Sequence, residues 1–120
     1  MAFAFENLKV YQDSLCWVEQ ANGLAENIRS QKAIVDQLTR AALSVPLNIA
    51  EGNGRWHKAE KRQFFWIARG SVFECVALIH VLKRIQIIDE ELFLKCYSDL
   101  ESLAKMLSGL IKSTESERAT

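Results

Sequence analysis

The sequence is poor in the residues that interrupt or cross-link a chain: one proline, five glycines, three cysteines and two histidines among 120 residues. With so little proline and glycine, and no low-complexity tract, no internal segment has the composition of a linker. A chain of this length suits one domain with one core. The expected organisation is a helical unit over 1–112 and a polar tail over 113–120.

Long apolar runs are missing too. The stretch from Cys75 to Ile79 stops at His80, far short of the roughly 18 residues needed to cross a bilayer, so no membrane partner is expected. Met1 to Leu8 lacks a basic segment followed by a long apolar one, so no secretory signal is read and a cytoplasmic location is expected. Cys16, Cys75 and Cys96 are odd in number, widely spaced and without a C-x-x-C pair; they read as reduced thiols in a helical core. Fifteen basic residues balance fifteen acidic ones, so bulk charge does not point to nucleic acid.

The chemistry that a helical bundle can host is equally sparse. A di-metal bundle needs Glu-x-x-His pairs on facing helices, and His57 and His80, the only histidines, have neither that partner nor other ligands at metal spacing. His80 lies in an apolar run and reads as a partly buried packing residue. No Gly-x-Ser-x-Gly elbow is present, and Gly52-Asn53-Gly54 lacks the third glycine or the Gly-Lys-Ser/Thr of a phosphate cradle. No metal, no other cofactor, no enzyme activity and no small-molecule substrate are expected.

What the sequence does have is helical periodicity within a composition that is 49% hydrophobic. Leu8, Tyr11, Leu15, Val18, Ala21, Ala25 and Ile28 recur at steps of three and four, predicting a first amphipathic helix. Ile34, Leu38, Ala41, Ala42, Val45 and Ile49 predict a second, bent or broken at Pro46 and closed by Gly52-Asn53-Gly54 in a left-handed end. Phe64, Ile67, Ser71, Cys75, Leu78, Leu82 and Ile85 predict a third over about 59–84. After a turn at Gln86 to Ile88, Asp89 is a good N-cap for a fourth, striped by Leu92, Cys96, Leu100, Leu103, Leu107 and Leu110. Four long helices with short connections predict an all-α, up-down-up-down four-helix bundle.

The third helix carries more apolar surface than one core takes. Phe64, Phe65 and Trp66 are consecutive and point in three directions, and Val72, Phe73, Val76, Ile79 and Val81 lie off the chosen stripe. Surface hydrophobics scattered singly are one reading. The other is a second buried face, with Phe65, Trp66, Phe73 and Val76 in contact with sister copies in a homo-oligomer.

Ser44-Val45-Pro46-Leu47-Asn48-Ile49-Ala50-Glu51-Gly52-Asn53-Gly54-Arg55 resembles the signature of the four-helix-bundle proteins encoded in intervening sequences of bacterial large-subunit ribosomal RNA genes. Leu8 to Gln12, Gln37 to Ala42, Ala68 to Ser71 with Glu74, and Met106-Leu107 extend the likeness over most of the chain. The resemblance implies a bacterial protomer that assembles into a ring, typically a pentamer. Accessory proteins of diversity-generating retroelements look similar; they bind a reverse transcriptase and nucleic acid through a basic surface, whereas this chain is balanced in charge. Read as chemistry, Ser44, Asn48, Glu51 and Arg55 share a helix face. Arg40 or Arg55 can pair with Glu51, Asn48 can serve backbone groups disturbed by Pro46, Gly70 and Ser71 would admit a close helix, and Glu74 lies one turn beyond. A structural network and a ligand site both fit these residues.

One uneven charge feature remains. Arg55, Lys58, Lys61, Arg62 and Arg69, with Trp56 and His57 among them, face only Glu60. Such a patch could track phosphates while Trp56 stacks on a base; a solvated helix start is the plainer reading. The expected function is a homo-oligomeric scaffold contacting RNA or an RNA-associated protein, or an adaptor that recruits an enzyme such as a reverse transcriptase without touching nucleic acid.

Overall fold

A computed structural model describes residues 2–116, and among them are four helices and no strand. They are α1 (Lys9–Asn27), α2 (Lys32–Asn53), α3 (Lys58–Arg84) and α4 (Glu90–Ser116), preceded by a short 3₁₀ turn at Ala4–Asn7. Packing joins α1 to α2, α2 to α3, α3 to α4 and α4 to α1, the arrangement of a four-helix bundle whose sequence neighbours are antiparallel. A bond crosses the diagonal: the buried Trp17 Nε1–H donates to Cys75 Sγ at 3.4 Å, from α1 to α3.

The helix ends follow from local chemistry. Asp89 caps α4, its Oδ1 accepting from Leu92 N–H at 2.8 Å. α3 ends in a Schellman motif, with Ile87 N–H donating to Leu82 O and Gln86 N–H to Lys83 O. Its left-handed residue is Gln86, at φ 65°, a position that usually takes glycine. The expected left-handed end at Gly52-Asn53-Gly54 does not form: Gly54 is right-handed at φ −79° and donates to Ala50 O. The service of Gly52 is instead steric. A Cβ there would lie 2.7 Å from Phe65 Cε1 and 3.0 Å from Phe64 Cβ, so its absence lets α2 and α3 close up. Pro46 neither ends nor interrupts α2, and its ring is buried.

The stripe of α2 is as expected from Leu38 to Ile49, whereas those of α1 and α3 are rotated. α1 buries Val10, Ser14, Trp17, Ala21 and Leu24; α3 buries Phe65, Ala68, Val72, Cys75, Leu78, Ile79 and Leu82. Val72 and Ile79 are therefore core residues, and Ile67 and Ile85 are exposed. α4 continues past Lys112 through Thr114, which is buried and whose Oγ1–H donates to Ile111 O. The expected tail at 113–120 thus begins as helix, and 117–120 lie outside the described residues. By length and composition alone α3 could cross a bilayer, with mean hydropathy 1.5 in its most apolar window. Here it lies between α2 and α4, with seven residues buried against the rest of the bundle.

Candidate interaction surfaces

The twelve-residue signature forms the α2–α3 seam. Asn48 Nδ2 donates to Ser44 O at 2.8 Å and to Ser44 Oγ at 2.9 Å, and Ser71 Oγ–H donates across the seam to Ser44 Oγ at 2.8 Å. Glu51 pairs with Arg55, Nη2 to Oε2 at 2.9 Å, one of the two pairings expected. Arg40 and Glu74 are exposed and in no ion pair among the described residues, so neither joins this network. Gly70 is exposed, with nothing within 4 Å of a Cβ built on it. Within the protomer, the close helix approach belongs to Gly52 instead.

Of the seven residues of the basic patch, Lys58 and Lys61 line one cavity with Asn53 and Thr114, while Arg55 and Arg69 are held elsewhere. Arg55 folds back on the α2–α3 flank, paired with Glu51 and set 4.7 Å above the Phe64 ring. Lys61 Nζ donates to Asn53 O at 2.7 Å, and Arg62 Nη1 to Thr114 O at 3.3 Å. These carbonyls belong to the last turns of α2 and α4, whose negative dipole ends converge on the start of α3 and attract cations. Arg69 lies two turns on, donating to Ser108 Oγ at 2.9 Å and covering the Phe73 ring at 4.4 Å. Lys58, His57 and Trp56 are exposed at the α2–α3 connection, and Trp56 is 89% exposed, so nothing in the protomer packs it.

Of the four expected interface residues, Phe65 is displaced into the core at 2% exposure. It fills the gap that Gly52 leaves and cannot meet a second copy. Trp66 and Phe73 are about half exposed and Val76 is half-buried. Phe73, Val76, Ala77, Tyr97, Leu100, Glu101 and Ala104 line an apolar groove of about 340 Å³ along the α3–α4 seam. On α2, Leu43 and Leu47 form an exposed pair one turn apart. The sequence reading passed over these leucines and Tyr97, although both leucines sit off their helix's stripe, which was the available signal.

The thiols divide. Cys75 and Cys96 are buried but Cys16 is exposed, so it is not the core thiol expected. Burial pushes the Cys75 thiol up from 9.0 to about 11, against the lowering effect of the Trp17 hydrogen bond. Burial also raises Cys96. His80 is exposed rather than partly buried, with its ring edge on Phe93 at 4.8 Å. Among the described residues no group of His, Cys, Asp and Glu is placed to hold a metal ion.

Comparison with known proteins supplies a family. No curated protein matches the sequence. A crystal structure of a protein of unknown function from the S23 ribosomal protein family of Bacteroides thetaiotaomicron superposes with a TM-score of 0.82 at 23% identity, over 86% of this chain and 98% of that one. At that identity the likeness establishes the four-helix fold. Residues 6–109 match the 23S rRNA-intervening sequence protein family, and with the signature packed as the α2–α3 seam, the chain belongs to that family.

Proposed function

We propose that this protein is a non-enzymatic, cytoplasmic scaffold that assembles with itself into a closed ring, a pentamer by family resemblance, and recruits a protein partner such as a reverse transcriptase or another RNA-associated enzyme. The observation that carries this reading is the outer side of α3. Trp66, Ile67 and Phe73 stand about half exposed on a helix whose other side already fills the core. Exposed apolar surface of this kind, here with the Arg69 guanidinium over both the Trp66 and Phe73 rings, suits contact with another protein. Arg55, Lys61, Arg62 and Arg69, by contrast, are engaged within the chain, which supports protein contact over phosphate contact. A scaffold role also fits the thiols, since a buried thiol with a raised pKa is a poor nucleophile. Three cysteines without a disulfide suit a reducing compartment. Size-exclusion chromatography with light scattering tests the reading: a mass several times that of the protomer is expected, and a monomer at micromolar concentration would sink it.

Trp56 favours a second reading. An almost fully exposed indole, with His57 and Lys58 beside it, can stack on an unpaired base. Gel-shift titration of structured RNA at low and moderate salt is expected to show binding that weakens with salt and with Trp56→Ala. Reversal of Lys61 or Arg62 is a poor probe, because both hold helix-end carbonyls. Absence of binding at low salt would leave the adaptor role alone.

A further inference from the structure

The scaffold reading leaves open which surfaces meet. The groove between α3 and α4 is bounded at one end by Phe73 and at the other by Tyr97, antiparallel helices bringing Ala104 near the first and Ala77 between them. Both aromatic rings are braced. Arg69 covers Phe73 and is itself held by Ser108; Tyr97 leans on Phe93 and on the edge of His80. A groove fixed before binding loses little freedom when it is filled. Its walls carry one charged residue, Glu101, which is in no ion pair among the described residues.

The chain presents a ridge that suits this groove. Leu43 and Leu47 lie about 6 Å apart along α2 at 49% and 59% exposure. They fit within the span of about 10 Å between the two aromatic posts. Arg40, one turn before Leu43, is exposed and in no ion pair among the described residues, whereas the other charges flanking the ridge, Asp36 and Glu51, are paired with Lys32 and Arg55. Unpaired cation on the ridge therefore answers unpaired anion in the groove. Groove-to-groove pairing about a two-fold axis would set Glu101 towards its own copy, like charge facing like charge.

Resting on the scaffold reading, we infer that the occupant of the groove is the Leu43–Leu47 ridge of a second copy of this chain. Ridge and groove lie on different sides of the protomer, so each copy offers one of each. Head-to-tail pairing of this kind closes into a ring if the rotation permits.

Two exposed substitutions test it. Leu47→Glu removes the ridge and keeps the groove; Phe73→Glu removes the groove and keeps the ridge. Each alone is expected to be a folded monomer by light scattering, with wild-type helicity by circular dichroism. Mixed in equal amounts at ~100 µM, above the level a single interface without ring closure needs, they are expected to give a dimer containing one of each and nothing larger. Arg40→Glu and Glu101→Arg are each expected to weaken assembly about tenfold, and the double variant to recover it. A wild-type monomer would overturn the scaffold reading itself. An assembling wild type whose Leu47→Glu variant also assembles, or a mixture that stays monomeric, would overturn the ridge-and-groove pairing alone.

Discussion

Between α2 and α3 the helices approach so closely that position 52 has no room for a Cβ, and the seam is sealed by Phe65 and the hydroxyl bond from Ser71 to Ser44. Between α1 and α4 a groove of about 250 Å³ is lined by Asp13, Cys16, Gln20, Lys95, Asp99 and Ser102 along with Trp17 and Leu103. There Gln20 donates to Asp99 at 2.7 Å, and Lys95 donates to the same carboxylate. The first seam depends on shape and the second on charged and polar contacts. Shape complementarity in a dry contact tolerates no added atom, whereas exposed charged contacts contribute little and can be replaced by solvent. The family signature falls on the first.

The largest effect is expected from Gly52→Ala. The new methyl would meet the buried Phe65 ring at 2.7 Å and the Phe64 Cβ at 3.0 Å, and neither is the free end of a flexible side chain. Overpacking of this kind costs about 1–3 kcal/mol. Removing a glycine from a helix interior returns only about 0.5–1 kcal/mol, so the net change is destabilising. Gly23→Ala in α1 is the control, because nothing lies within 4 Å of the added carbon; a gain of about 0.5–1 kcal/mol is expected there. Urea melts of both variants check the pair. If Gly52→Ala proves as stable as wild type, the tight seam is not where the fold is specified.

These two seams were unequally legible in the sequence. Four helices, the Asp89 cap and the Glu51–Arg55 pair follow from periodicity and spacing, because those rules are local. Which face of each helix enters the core is not local. In α1 the rule that polar residues stay outside discards Ser14, yet Ser14 is buried because its hydroxyl donates to Tyr11 O within its own helix. Restoring it moves the stripe onto Trp17. In α3 nearly every face is apolar, so Phe64 and Phe65 compete, and the tie is broken by Gly52 on another helix. In α4 the middle of the stripe, Cys96 to Leu107, is as expected, while its ends shift to Phe93 and Ile111. The basic patch was only partly legible for a related reason. Clustering in sequence says nothing of the carbonyls at the ends of α2 and α4 that hold Lys61 and Arg62.

A smaller effect is expected at the open seam. Gln20 bridges Asp99 and Cys96, donating to the first and accepting from the Cys96 thiol at 3.9 Å. Gln20→Ala removes both contacts beside a groove that water can enter, so the expected cost is about 0.5–1 kcal/mol. Thiol alkylation reads the location of the change. Cys16 reacts fastest in the wild type because it is exposed. In the variant Cys96 is expected to gain reactivity while Cys75, bonded to Trp17 across the core, does not. Equal gains at Cys75 and Cys96 would mean that the bundle opens as a whole and that the seams do not differ.

The smallest effect sharpens the comparison through pH. At Asp99, burial alone would raise the carboxyl, but the hydrogen bonds from Lys95 and Gln20 together outweigh it and hold the group below its ordinary 3.8. Lys95 is raised correspondingly, chiefly by the same hydrogen bond. A carboxyl depressed in the folded state stabilises it above the unfolded pKa, and that contribution disappears as pH falls through the folded value. The α1–α4 seam is therefore expected to weaken below about pH 4, and Asp99→Asn to flatten that acid limb. The hydrogen bonds among Ser44, Asn48 and Ser71 at the α2–α3 seam involve no titratable side chain, so that network stays level over the same range. Hydrogen exchange at pH 3 and pH 6, corrected for the intrinsic rate, is expected to show faster exchange in α1 and the first half of α4 at the lower pH, with α2 and the first half of α3 unchanged. Uniform acceleration across all four helices would show that both seams depend on charge, against the distinction drawn from Gly52.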